Sequence, residues 1–203
     1  VAAAALPDTV AGSVHLDMRN CNVRDNGADG AAALEAGDGD VTMVVQHSQA
    51  AANGGAAFVA AEADDGEIAL VVTAVGARAN AGACAVALEL GAGDATLVAT
   101  DLRCVGTPQR ELVAAEYGAG DLSATLVDVV VRDSTRDGVL LAESDEGSAT
   151  CTLRGAKSLR AARFGVLLSE TADGDLRAAL DDVLAKHAGS DGVRAASSGG
   201  VGG

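Results

Sequence analysis

Six glutamates recur in this 203-residue chain at one fixed interval: Glu35, Glu62, Glu89, Glu116, Glu143 and Glu170 are each 27 residues apart. Carboxylates stacked in this way could gather cations such as Ca²⁺, or present an acidic face to a protein partner. Like charges in register repel, however, and calcium wants converging oxygens rather than a flat row, so Ca²⁺ is not favoured. The plainer expectation for the column is a solvated edge that blocks lateral strand contacts. A second acidic pair, Asp101 and Asp128, is also 27 residues apart, with Arg103 and Arg132 close by in sequence. Paired acids beside a base are what a polysaccharide lyase or hydrolase would need. No aromatic platform for stacking a sugar accompanies them, because Phe58, Tyr117 and Phe164 are isolated. No catalytic residue is therefore assigned.

The remaining reactive side chains form no constellation. Cys21, Cys84, Cys104 and Cys151 make no CxxC and no zinc spacing. They fall at four different places in the 27-residue period, so no disulfide is expected and all four read as small inward hydrophobes. The redox compartment stays open on this reading. His15, His47 and His187 likewise share no column and read as surface or turn residues. No cofactor is implied.

Composition narrows the partners. The net charge is -15 and the pI about 4.3. That excludes nucleic acid and anionic lipid surfaces, which require clustered Lys and Arg. No apolar run reaches the roughly 18 residues of a membrane span, so no membrane insertion is expected. No charged segment followed by an apolar stretch marks a signal peptide. Hydrophobic residues make up 49% of the chain but aromatics only 1%. Such small side chains suit a thin core.

The elements that carry these residues follow from the period. Gly12, Gly39, Gly66, Gly93, Gly120, Gly147 and Gly174 open seven windows of 27 residues with no insertion. Position 2 of each window is acidic or Ser, from Ser13 and Asp40 to Asp175. Position 3 is apolar (Val14, Val41, Ile68), as is position 20 (Phe58, Leu112, Val139, Val166). Val1 to Ala11 match the end of a preceding window, with Asp8 in the glutamate column, so the chain is expected to start mid-repeat. Within a window, apolar residues alternate, as in Leu122, Ala124 and Leu126, then Val129 and Val131, then Val139 and Leu141. Period two predicts three short strands per window. Turn residues such as Asp25-Asn26-Gly27 and Asp173-Gly174 separate them. Such a unit buries its apolar residues only by stacking on copies of itself.

Two stretches resemble right-handed parallel β-helix repeats. They are Leu16-Asp17-Met18-Arg19-Asn20-Cys21-Asn22-Val23-Arg24-Asp25-Asn26-Gly27, and Asp128 to Asp133 followed by Asp137-Gly138-Val139-Leu140-Leu141. The resemblance covers nearly the whole chain. It implies a fold more than a job, since proteins with such repeats include extracellular polysaccharide lyases and hydrolases, adhesins and phage tailspikes. It also implies an extracellular or cell-surface setting, with a large intracellular assembly as the alternative. The rival fold at this period is the leucine-rich repeat. Its Asn, Cys or Thr ladder should fall at position 10, which instead holds Cys21, Ser48, Val75, Leu102, Val129, Ala156 and Val183.

The expected architecture is an all-β, right-handed parallel β-helix solenoid forming one domain over residues 1–200. Residues 1–11 form a partial first rung, and full rungs start at 12, 39, 66, 93, 120, 147 and 174. Asp175 to His187 also read as an amphipathic capping helix, the alternative to a seventh rung. Residues 195–203 read as a mobile Ser/Gly-rich tail. The expected role is a non-catalytic spacer or scaffold that engages a protein partner or further rungs. The alternative is an extracellular β-helix that binds or cleaves carbohydrate.

Overall fold

The computed structural model describes residues 2–4, 12–107 and 110–198, and every regular element among them is a strand. The rung that starts at Gly120 shows the plan. A leading strand, Leu122–Val127, is followed by a short middle strand, Val130–Arg132, and a closing strand, Val139–Glu143. In the third and fourth rungs the leading and middle strands run together as Ile68–Arg78 and Ala95–Val105. All pairing is parallel. Leu122 lies between Ala95 and Ala149, and Val139 between Leu112 and Val166, each one 27-residue step away. Leading and middle strands build a twelve-stranded sheet, and closing strands an eight-stranded one. The chain is thus a parallel β-solenoid of about seven turns.

Alternation sets the inside. Along Ala149–Arg154 buried and exposed residues alternate without exception. The interior columns, such as Met43, Leu70 and Leu97, are fully buried. Like side chains stack on like, which is why one rung cannot fold alone.

Two corners per rung use left-handed backbone. Position 9 has φ between 48° and 63° in all seven rungs: Asn20, His47, Ala74, Asp101, Asp128, Gly155 and Asp182. Position 14 is left-handed too, with φ between 51° at Ala79 and 70° at Gly106. Asn, Asp, His and Gly tolerate this region best, so a corner explains the polar residues found there. At position 1 the rungs approach closely. A Cβ on Gly120 would collide with the carbonyl oxygen of Gly93, and one on Gly147 with that of Gly120. The glycine column is therefore a consequence of stacking.

Polar columns also serve the stack. At position 2, Asp94 Oδ1 accepts the Asp121 N–H at 2.9 Å, and Asp121 Oδ1 accepts that of Ser148 at 2.8 Å. At position 15 the Asn26 amide donates to Asn53 Oδ1, and the Asn53 amide to Asn80 Oδ1, both at 2.8 Å.

The expected seventh rung is present, and two other expectations change. The stretch 175–187 is not a capping helix, since Leu176–Asp181 and Leu184–Lys186 pair in register with the rung before and complete a seventh rung. Residues 195–197 are not tail but belong to the closing strand Val193–Ser197, while 199–203 lie outside the described residues. The first strand, Ala2–Ala4, pairs Ala2 with Ala32, a step of 30 rather than 27. Asp8, expected in the glutamate column, lies outside the described residues.

Candidate functional site

From Glu62 to Glu170 the column's glutamate ends its closing strand, and alternation turns position 24 inward. It is not the solvated edge expected from its charge: Glu62, Glu89, Glu116, Glu143 and Glu170 are fully buried and Glu35 is 7% exposed. The turn that follows makes this feasible. Two residues on, the backbone N–H of Asp64, Gly91, Gly118, Asp145 and Ala172 donates to Oε1 of the preceding glutamate at 2.5 to 2.7 Å. Each Oε1 thus replaces water with a turn amide. The Oε2 atoms of Glu62, Glu89, Glu116 and Glu143 are buried with no donor. Burial pushes Glu62 up to about 7 and Glu116 up to about 8, and the adjoining glutamate carboxyls add to both. Glu143 is raised too, again chiefly by burial. At the column's end the Ser197 hydroxyl donates to Glu170 Oε2 at 2.6 Å and lowers Glu170. The exposed acids lie beside the column instead. Positions 26, 27 and 2 carry them along one edge, from Asp38 and Asp40 to Asp173 and Asp175, with no Lys or Arg among them. Asp38, Asp64 and Asp65 bring carboxylate oxygens within 4.8 Å of one another there, but all three are exposed, and an open acidic cluster is not in itself a metal centre.

The structure does bring Asp101 and Asp128 together. Both sit at position 9 corners and are exposed. Asp101 and Arg103 border two adjoining shallow depressions. One, of about 280 Å³, is also lined by Gln49, Gly76 and Arg78. The other, of about 490 Å³, is also lined by Asp128, Gly155 and Lys157. Glycine at positions 76 and 155 leaves the surface low in both. Arg132 is not part of this group; it stands beside Asp133 on the next corner. Arg103 and Asp101 approach at 3.6 Å with both side chains largely in water, a contact worth little. Tyr117, 46% exposed, lies on the acidic edge, and Phe58 and Phe164 are buried, so no aromatic ring borders the depressions.

The cysteines depart from expectation. Cys84 and Cys104 form a disulfide with Cα atoms 5.8 Å apart. They occupy positions 19 and 12 of adjacent rungs, far apart along the coil. The interior is so thin that these positions face each other across it, which distance along the coil concealed. Cys151 is buried and Cys21 half-buried, both as thiols, and burial pushes Cys151 up to about 12. The three histidines are exposed and scattered, with His47 and His187 serving left-handed corners. Sequence reasoning also missed Glu111, fully buried at position 19. It accepts the Thr107 N–H at 3.0 Å, and burial raises it to about 7.

No protein-family profile matches the chain, and no curated protein matches it. Among solved structures it is similar to a mannuronan C-5 epimerase A-module from Azotobacter vinelandii. That likeness has 13% identity and a TM-score of 0.38, and covers 90% of this chain and 58% of that one.

Proposed function

We propose that the chain is a non-catalytic β-solenoid segment that acts as a rigid spacer and offers its acidic edge to a protein partner. The observation that carries this reading is the regular stacking: among the described residues from Val14 to Ser197, the strands of each rung pair with those of the next at a 27-residue step. A hydrolase or lyase needs walls that hold substrate around perturbed acids, and turn insertions usually supply them. The depressions beside Asp101 are open and shallow. The Cys84–Cys104 bridge supports folding in an oxidising compartment, in keeping with a cell-surface or extracellular place.

A second reading, binding or cleavage of carbohydrate, is favoured by one observation: Asp101, Arg103, Asp128 and Lys157 line a single depression. Incubation with acidic and neutral polysaccharides, with and without Ca²⁺, separates the two. The spacer reading expects no cleavage and no retention. Cleavage or retention that is lost in Asp101→Ala or Asp128→Ala would replace it with the carbohydrate reading.

A further inference from the structure

The four inner glutamates cannot be four carboxylates. Their Oε2 atoms are buried without a donor, and a bare carboxylate only accepts hydrogen bonds. Yet the four stand in register on neighbouring closing strands: Glu62 beside Glu89, Glu89 beside Glu116, and Glu116 beside Glu143. A contact between two carboxyl groups is attractive only when one of them carries a proton. Three such contacts among four groups call for three protons. The ends of the column need none. Glu35 Oε2 takes the Gly37 N–H at 2.7 Å, and Glu170 takes two turn amides and the Ser197 hydroxyl.

Among the described residues, no positive charge stands in for those protons. The charged groups that border the inner four are Asp64, Asp65, Asp145 and Glu146 on the turns, and Glu67, Asp94 and Asp121 at the start of the leading strands. On the neighbouring closing strands they are Glu35 and Glu170. All are acidic, and the interior side is apolar, with Leu112, Ala114, Leu122 and Leu141 fully buried.

We infer that Glu62, Glu89, Glu116 and Glu143 form a proton-bonded carboxylic acid ladder that runs along the rod, and that ionising it loosens the stack. Each Oε1 stays on its turn amide. Each Oε2 side gives or receives a proton bond to the next rung, so the ladder holds three protons and one net negative charge. The sign follows from linkage. Free glutamates in the unfolded chain lose their protons near 4.5, whereas burial raises Glu62 to about 7 and Glu116 to about 8, and raises Glu143 as well. Between these limits the folded chain binds more protons than the unfolded one. The ladder's contribution is therefore complete below about 4.5 and is lost as pH rises through about 8.

The test is made on the whole chain. Infrared spectra should show a protonated carboxyl C=O band at pH 7 that fades as pH is raised past 8. Unfolding at pH 6 should release about three protons, so that the folding equilibrium constant falls by up to about a thousandfold per pH unit. Glu116→Gln removes one titrating group and keeps the shape. It should fold and lose less stability than the parent between pH 5 and 8.5, while Glu67→Gln, an exposed neighbour, should track the parent. The infrared measurement needs no variant and stands even if Glu116→Gln fails to fold. Absence of the band at pH 7, or a stability that depends on which alkali or divalent cation is supplied rather than on pH, would overturn the ladder.

Discussion

Val139→Asp should leave the chain unfolded, or its middle rungs molten, at neutral pH. Val139 is 2% exposed and sits in register between Leu112 and Val166, both inside the rod. An aspartate there loses the apolar contacts and places a charge where no amide or cation reaches it. Leaving such a charge unpaired costs several kcal/mol, a large share of a typical domain's stability. Buried carboxyl groups as such are not the obstacle, since the glutamate column holds six. Position 24 has turn amides and neighbouring carboxyls to satisfy its oxygens, and position 20 has neither. The check is urea unfolding followed by far-UV circular dichroism, which in the parent should show a β signal with little helix. A variant with the parent's midpoint would mean that position 20 does not face inward.

Loss of the Cys84–Cys104 bridge should lower stability by about 3 kcal/mol. The cysteines are 20 residues apart, and closing a loop of that size removes roughly this much entropy from the unfolded chain. Both side chains are fully buried, so reduction should be slow until the rod opens. Cys84→Ala together with Cys104→Ala should fold with a lower urea midpoint, since two small apolar side chains suit the same interior. Thiol counting in denaturant without reductant should find two free groups, Cys21 and Cys151. Four free groups would show that the bridge does not form.

Much of this architecture was legible because stacking writes itself into columns. Gly at position 1, the acceptor at position 2 and the apolar residues at positions 3 and 20 each answer one local demand that recurs every rung. Charge was a poor guide to side. A glutamate column reads as surface unless one asks whether the next turn can donate to it, and the small residues two places on, Gly37, Gly91 and Gly118, were the available hint. Asp101 and Asp128 drew attention as a pair of acids, but their shared position is first a left-handed corner that Asn20, Gly155 and Asp182 fill equally well. The disulfide escaped because distance along a coil says little about distance across it. A partial first rung was legible but its register was not, because Ala2, Ala3 and Ala4 fit several registers and the structure uses one three residues off the repeat. The Asn26–Asn53–Asn80 ladder recurs at position 15, where Asn suits a turn and its amide also bridges one rung to the next.

The claim beneath the proposed role is that equal steps in sequence are equal steps along a stiff rod. Spin labels at the same position of different rungs measure this directly. With Cys21 and Cys151 replaced by Ala and the bridge kept, label pairs at Thr42 and Thr150 and at His15 and Arg177 span four and six rungs of position 4. At the spacing of paired strands their backbone separations should be ~19 Å and ~29 Å, and both distance distributions should be narrow. Distances that fail to grow with the number of rungs, or a broad distribution between the distant pair, would contradict the rigid solenoid and with it the spacer.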